Sequence, residues 1–348
     1  MRNNMDLGPI YNTNKSAERK PLNIDNPIYT NPIAIQKNTN KNAYQFNHLK
    51  TLGLYIQDSA YFTDNFIITG GLRYEYFDQV IGRSTLDNIR SGYLAQTDGK
   101  LLYQFGSVYK FTPRIATFFN CAESFRPQNN RTLIINSELP AEQGKSFETG
   151  LKYDNSYLNA TLALFNINKG NVAETVNINN TNELQIVGKQ RSRGIEFDIN
   201  GQLTDNLSIA VNYTYIKVKT LENHNNKLAI GKQLSSVPKH QSSLFLAYNI
   251  GEFDFGHIRV GGAHYLGSWY AYNSTYTKAY KLPHSVVYDA FIAYDTKISG
   301  KKLSFQLNGK NLSNKVYYPS TSGNANGTLI PVALGYAREV ILNTKIEF

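Results

Sequence analysis

The sequence predicts an all-β fold, an antiparallel β-barrel whose strands cross a membrane. Three observations carry the prediction: segments of strand length that alternate apolar and polar residues, connections that are short and long by turns, and aromatic residues gathered near strand ends. The first is clearest in 207–219, where Leu207, Ile209, Val211, Tyr213 and Tyr215 share one face and Ser208, Ala210, Asn212 and Thr214 the other. A period of two separates these sets completely, whereas a helical period would mix them. The same holds for 66–77 (Phe66, Ile68, Leu72, Tyr74 and Tyr76 against Thr69, Arg73 and Glu75), for 195–200 and for 303–310. The chain ends in the same pattern, with Val340, Leu342, Ile346 and Phe348 alternating with Asn343, Lys345 and Glu347.

The connections supply the second observation. Thr63-Asp64-Asn65, Asp154-Asn155-Ser156 and Thr204-Asp205-Asn206 are tight polar turns, whereas 79–99, 125–144, 220–240, 270–283 and 313–335 read as long loops. Short turns at one end and long loops at the other are the habit of an outer-membrane barrel, and a soluble domain rarely carries so many long loops. Tyr74, Tyr76, Tyr213, Tyr215, Tyr288 and Tyr294 then fall where interfacial girdles would place them. The composition agrees: 25 Tyr, 18 Phe and 25 Gly beside one Trp and 2 Met favour strands and turns.

Thirteen strands follow in order: 49–61, 66–78, 100–111, 114–124, 145–154, 157–177, 184–202, 207–219, 241–250, 257–269, 284–296, 302–312 and 336–348. With thirteen, the first and last strands point the same way, so the sheet does not close as a simple meander and reads as part of a larger one. Residues 1–48, with Pro9, Pro21, Pro27 and Pro32 among many Asn, read as an extracellular loop segment, and 49–348 as the carboxy-terminal barrel portion.

Other classes find little support. No run of about 18 apolar residues occurs, which excludes a transmembrane helix and leaves a barrel open, since a barrel strand needs only about 9–11 residues to cross. The amino terminus lacks the layout of a secretory signal, so the chain is either cytoplasmic or without its front. Cys121 is the sole cysteine and permits no intrachain disulfide. The net charge of +10 is scattered, with no basic block and no nucleic-acid-binding motif, so no nucleic-acid partner is expected. Six dispersed His offer no metal-ligand spacing, and no nucleophile elbow or phosphate loop is present; neither catalytic nor metal-ligating residues nor a cofactor are assigned.

Several stretches resemble the TonB-dependent outer-membrane receptors, in particular the ferric-siderophore branch. They are Asn26-Pro27-Ile28-Tyr29, LGLYIQDSAYFTDNFIITGGLRYEYFD (52–78), TPRIATFFNCAESFRP (112–127), FETGLKYD (147–154), ALFNINKGNV (163–172), VGKQRSRGIEFDINGQLTDNLSIAVNYTYIKV (187–218), GKQLSSVPKH (231–240), NGKNLSNKVYY (308–318) and GYAREVILNTKIEF (335–348). Their order and spacing match the family over most of the chain.

The resemblance implies a 22-stranded barrel whose plug comes first. If Phe348 ends the last strand, then 49–61 is strand 10; it should run down to a short periplasmic turn, and the turn at 63–65 meets that condition. Signal peptide, plug and the first nine strands have no counterpart here, so the chain is expected to be the carboxy-terminal part of a receptor in the Gram-negative outer membrane, inactive alone. The resemblance further implies a ferric siderophore as ligand, with iron present only as its cargo. Outer-membrane lipid and lipopolysaccharide, the barrel assembly machinery, for which Phe348 would be the signal, and the TonB-ExbB-ExbD complex, acting through the plug, complete the implied partners.

An oxygen-rich, often anionic ferric complex calls for aromatic faces and cationic groups in the loops. The substrate-binding candidates are therefore Phe125, Arg126 and Arg131; Trp269, Tyr270, Tyr272 and Tyr276; and Tyr317 and Tyr318. Each has a structural alternative. Trp269 also fits an interfacial girdle, Phe125 and Arg126 fit loop geometry, and Tyr317 and Tyr318 fit the top of a strand better than a ligand contact. A haem receptor is the nearest rival, but Phe125-Arg126-Pro127 lacks the expected Ala and no His lies nearby. A general porin would share the alternation without the RSRGIEF and NPIY stretches, and a soluble carbohydrate-binding protein would stay in the aqueous fraction.

Overall fold

The computed structural model describes residues 43–85, 88–128, 139–178, 181–234, 237–267, 270–272, 279–281, 283–321 and 332–347. The strands in chain order are β1 (Ala43–Tyr61), β2 (Phe66–Thr85), β3 (Asn88–Lys110), β4 (Ile115–Arg126), β5 (Glu142–Asp154), β6 (Leu158–Ile178), β7 (Thr181–Thr204), β8 (Leu207–Asn223), β9 (His240–Phe253), β10 (Gly256–Gly267), β11 (Tyr270–Tyr272), β12 (Ala279–Lys281), β13 (Ser285–Ile298), β14 (Lys301–Lys310), β15 (Ser320–Thr321), β16 (Val332–Ala333) and β17 (Glu339–Glu347). Thirteen of them form one antiparallel sheet in the order β1 to β10, β13, β14, β17, while β11 with β12 and β15 with β16 are small hairpins within connections. All thirteen strands expected from the sequence are members of the sheet. Its edges are β1, paired to β2, and β17, paired to β14; among the described residues neither edge has a second partner.

The short turns lie at one end and share a device. Thr63 Oγ1 accepts from the Asn65 and Phe66 N–H, Thr112 Oγ1 from Arg114 and Ile115, and Thr204 Oγ1 from Asn206 and Leu207. Asn155 Oδ1 does the same for Tyr157 and Leu158. Hydroxyl and amide side chains that bond the backbone two and three residues on are what make Thr and Asn good turn formers. The turn before β14 uses left-handed backbone instead, with Ser299 at φ 51° and Gly300 at φ 80°.

Face assignment follows the register. Leu52, Leu54 and Ile56 of β1 lie opposite Tyr76, Tyr74 and Leu72 of β2, which in turn lie beside Leu101 and Tyr103 of β3. This apolar face continues through Leu162, Leu164, Ile195, Ile292, Leu307, Val340 and Leu342, all of them exposed. Such a surface is explained by lipid as its solvent. Aromatic contacts gather at its turn end: Phe62 with Phe66, Phe66 with Tyr109, Tyr109 with Phe111, Phe253 with Phe255 and Tyr294 with Phe305.

One expected loop is largely strand. The sequence reads 79–99 as a connection, but β2 and β3 continue as a ladder through it, with Gln79 opposite Gln96, Val80 opposite Ala95 and Ile81 opposite Leu94. The alternation changes sense there, which hides the strand. Up to Tyr76 the apolar residues are even-numbered; beyond it the buried ones are Phe77 and Ile81, on the opposite face. Past the membrane, water bathes the former lipid side and folded loops cover the inner one. β7 shows the same change, from Ile195 and Phe197 on the apolar face to Arg191 and Arg193 on that same face.

Gly194 marks a close approach of strands. A β-carbon there would lie 2.0 Å from the Tyr215 carbonyl oxygen and 2.8 Å from the Phe165 ring, whereas at Gly70 it would meet nothing within 4 Å. Gly194→Ala is expected to lower the recovery of folded chain in outer membranes by about tenfold, a cost in the range of overpacking, and Gly70→Ala to leave it unchanged. Comparing the heat-modifiable band of the two variants checks this.

Candidate functional site at the loop end of the sheet

β6 and β7, at 21 and 24 residues, are about twice as long as a membrane crossing requires, so their hairpin projects well beyond the apolar band. β2 and β3, at 20 and 23 residues, do the same. These projections form walls, and the connection between β4 and β5 is fastened against their inner side.

The fastening has an apolar and a polar part. Phe77, Leu102, Phe125 and Ala141 form one buried cluster, with the Phe77 and Phe125 rings 5.7 Å apart. Ile81 and Leu139 form a second, against which Ala173 and Ile186 pack. Between them, Gln79 is 1% exposed and saturated: its amide donates to Asn47 Oδ1 (3.1 Å) and the Gln128 carbonyl (2.9 Å), and its oxygen accepts from Gln96 (2.9 Å). Gln128 in turn donates to the carbonyls of Pro140 (3.1 Å) and Asn171 (2.6 Å), and the Asn171 amide donates to the Ala141 carbonyl (2.8 Å). Asn171 holds φ 53° beside an irregularity in the β6–β7 ladder, a conformation that Asn tolerates better than most residues. The two ends of the β4–β5 connection, at 127–128 and 139–141, are thus tied to β2, β3 and β6, and Asn47 of β1 braces Gln79.

Ion pairs flank the tie. Glu142 takes Lys169 at 2.6 Å, Lys100 donates to the Gln143 side chain at 2.7 Å, and Glu123, 5% exposed at its side chain, takes Lys145 at 2.9 Å. A second built region caps β14 and β17. Asn311, 2% exposed with φ 45°, donates from its amide to the carbonyls of Lys315 and Tyr336, both at 2.9 Å, and accepts the Lys315 N–H at 2.9 Å. Its own N–H donates to Asp289 at 2.8 Å. A third lies at the tip of β8, where Asn223 Oδ1 accepts from the Asn225 and Asn226 N–H and a 3₁₀ turn, Lys227–Ala229, folds back toward the strand through the Gly231-to-Thr220 bond.

The sequence candidates distribute unevenly over this mouth. Phe125 is 7% exposed and its ring is committed to the Phe77 cluster; Arg126, next to it, is exposed. Tyr317 and Tyr318 are half-buried, and Tyr317 packs over Gly335, whose N–H donates to the Tyr317 carbonyl at 2.8 Å. Tyr270 and Tyr272 belong to β11 and pair opposite Lys281 and Ala279. Arg131, Trp269, Tyr276 and Phe348 lie outside the described residues. The structure therefore brings Phe125 and Arg126 to one wall, and Tyr317 and Tyr318 to the top of β14. Gln79, Gln128, Asn171 and Asn311 were absent from the sequence candidates. Asn171 and Asn311 stood in recognised stretches and Gln79 and Gln128 did not, and nothing in a lone glutamine announces that it will be buried.

Comparison with known proteins agrees with this architecture. The family model described as TonB dependent receptor-like, beta-barrel, matches residues 3–312. An uncharacterized TonB-dependent receptor of Haemophilus influenzae is 86% identical over 345 residues, 99% of this chain and 100% of the relative. The metal-pseudopaline receptor CntO of Pseudomonas aeruginosa is 27% identical across 95% of this chain and 45% of its own length. For the ferrichrome outer membrane transporter/phage receptor of Escherichia coli the values are 26%, 86% and 39%. The chain thus spans less than half the length of these two receptors. Among solved structures, the ferric yersiniabactin uptake receptor FyuA of Yersinia pestis superimposes with a TM-score of 0.71 at 18% identity, covering 88% of this chain and 47% of that one. The ferric preacinetobactin receptor BauA of Acinetobacter baumannii gives 0.69 at 23%, covering 87% and 44%. Family match, the 86% identical relative and a sheet of outer-membrane-barrel pattern converge: the chain belongs to the TonB-dependent receptor β-barrel family, a family of receptors and transporters rather than enzymes.

Proposed function

We propose that this chain forms barrel wall and ligand-facing mouth of an outer-membrane receptor for ferric siderophores. The observation that carries the reading is the tied β4–β5 connection, which holds Arg126 at the inner rim of the mouth on a rigid support rather than on a free loop. The printed ligands of the relatives, ferrichrome and metal-pseudopaline, support a metal chelate as the ligand class. Energy for uptake would come from the TonB complex through a plug. With β1 and β17 as sheet edges, transport as distinct from binding requires strands that pair with both, because open edges are unsatisfied in lipid.

Trp269 supplies the assay, since it is the only tryptophan in the chain. Ferric hydroxamate and ferric catecholate complexes are expected to quench its emission saturably in the detergent-solubilised full chain, with iron-free chelators much weaker. Absence of saturable quenching by every ferric complex would contradict the ferric-siderophore reading. A response confined to nickel or zinc chelates would favour a second reading, a receptor for other metal chelates, which the 27% identical metal-pseudopaline receptor motivates.

A further inference from the structure

The inner face of the sheet, away from lipid, carries two different chemistries. On β5 to β7 it is acidic, with Glu148, Glu196 and Asp198 on that face and, among the described residues, no cation within 4 Å of any of them. From β9 to β17 it is aromatic, then amide, then cationic. Phe245 and Phe291 stack in mid-strand, ring centroids 5.9 Å and planes 9° apart, and Phe245 is 40% exposed although it faces away from lipid. Gly261 makes room for the pair, since a β-carbon there would run into the Phe291 ring.

Toward the turn end Asn308 stands opposite Phe291, Gln306 opposite Ala293 and Asn343 opposite Gln306. Beyond them Lys297 lies directly opposite Lys302. Lys302 is 3.9 Å from Glu347, and Lys345 is 2.5 Å from the same carboxylate. Lysines thus gather at one carboxylate, and like charges directly across a ladder destabilise it. Asp295 on this face is engaged by Arg259 at 3.1 Å, and Asp289 by the Asn311 N–H at 2.8 Å. From Phe291 to Lys297 the succession of rings, amides and ammonium groups runs for about 20 Å down the strands.

We propose that an anionic ferric chelate leaving the mouth follows this β9 to β17 stretch of the inner face, stacking on Phe245 and Phe291 and making its last contact with Lys297, Lys302 and Lys345. This path rests on the ferric-siderophore reading above and adds to it the wall that the cargo uses. Flat rings and amides suit the aromatic and oxygen-rich surface of a chelate, and the lysines attract its charge. The carboxylates on β5 to β7 repel the same charge, which separates the two stretches. An anion between Lys297 and Lys302 relieves their mutual repulsion.

The test uses the detergent-solubilised full chain with Cys121→Ser, carrying one fluorophore at Asn343→Cys on β17 or at Thr161→Cys, opposite Asp198 on the acidic stretch. The probes are a trianionic ferric tris-catecholate and a neutral ferric trihydroxamate, and Trp269 emission in the same samples reports on the mouth. The tris-catecholate is expected to quench the Asn343 label saturably, at about one tenth of the concentration that quenches the Thr161 label. The combined Lys297→Gln, Lys302→Gln, Lys345→Gln variant should raise that concentration about tenfold for the trianion and little for the neutral complex, and arginine at the three positions should restore it. Raising salt from about 0.05 M to about 0.5 M should weaken the unsubstituted lysines in the same way, which does not depend on the variant folding. Equal quenching at Asn343 and Thr161, or quenching at Asn343 indifferent to both lysines and salt, overturns the path. So does silence of the Asn343 label while Trp269 responds, whereas silence of Trp269 toward every ferric complex overturns the siderophore reading on which the path rests.

Discussion

Phe125→Ala is expected to release the β4–β5 connection while leaving the sheet assembled. The ring is 7% exposed and packs with Phe77, Leu102 and Ala141, and truncating such a ring removes about 3–5 kcal/mol of local packing. That loss falls on a segment whose other ties are the Ile81–Leu139 contact and amide bonds from Gln79, Gln128 and Asn171, each bond worth about 1 kcal/mol. Without the ring, opening of the connection becomes frequent on the timescale of proteolysis. Limited proteolysis on intact cells should therefore cut the Phe125→Ala chain between 129 and 138 at least tenfold faster than wild type, with unchanged heat-modifiable mobility. Phe125→Leu fills most of the space and should fall near wild type. If the ring contacted ligand instead, Phe125→Ala would weaken quenching of Trp269 without altering cleavage.

The second large effect is expected at Asn311. Its side chain makes three bonds of 2.9 Å to the backbone of Lys315 and Tyr336, and these fix the descent into β17. Asn311→Ala removes the donor of the Lys315 and Tyr336 carbonyls and the acceptor of the Lys315 N–H, and places alanine at φ 45°, for a combined cost of about 2–4 kcal/mol. The midpoint of the thermal mobility shift should drop, and β17 should lose amide protection first. Asn311→Gly separates the two causes. Glycine accepts the left-handed backbone, so a midpoint close to alanine's assigns the loss to the hydrogen bonds, and one close to wild type assigns it to the backbone.

The strands were legible because one face meets lipid and the other does not, and a period of two records that directly. Leu207 to Tyr215 is the plainest example. Legibility failed where the solvent changes sides. Beyond Tyr76, Phe77 and Ile81 turn to the inner face and Asp78 takes the outer one, so 79–99 loses a constant alternation and reads as loop although it is paired. The candidate site was legible only as a region. Aromatic and cationic residues of the loops mark chemistry suited to a chelate, yet whether a given ring meets ligand or core depends on long-range contacts such as Phe77 with Phe125, 48 positions apart, which no local pattern encodes. The amides of Gln79, Gln128 and Asn171 were missed for the same reason: their partners lie 12 to 49 positions away in the chain.

The central claim is that one face of this sheet meets lipid and the other a polar interior. Single cysteines test it most directly. Cys121, partly buried on the apolar face, is first replaced by serine. Val211→Cys and Asn212→Cys are then placed side by side on β8 in outer-membrane vesicles. The prediction is that Val211→Cys reacts with a bilayer-soluble maleimide and resists a water-soluble one, while Asn212→Cys shows the reverse. Equal labelling of both positions by the water-soluble reagent would contradict it.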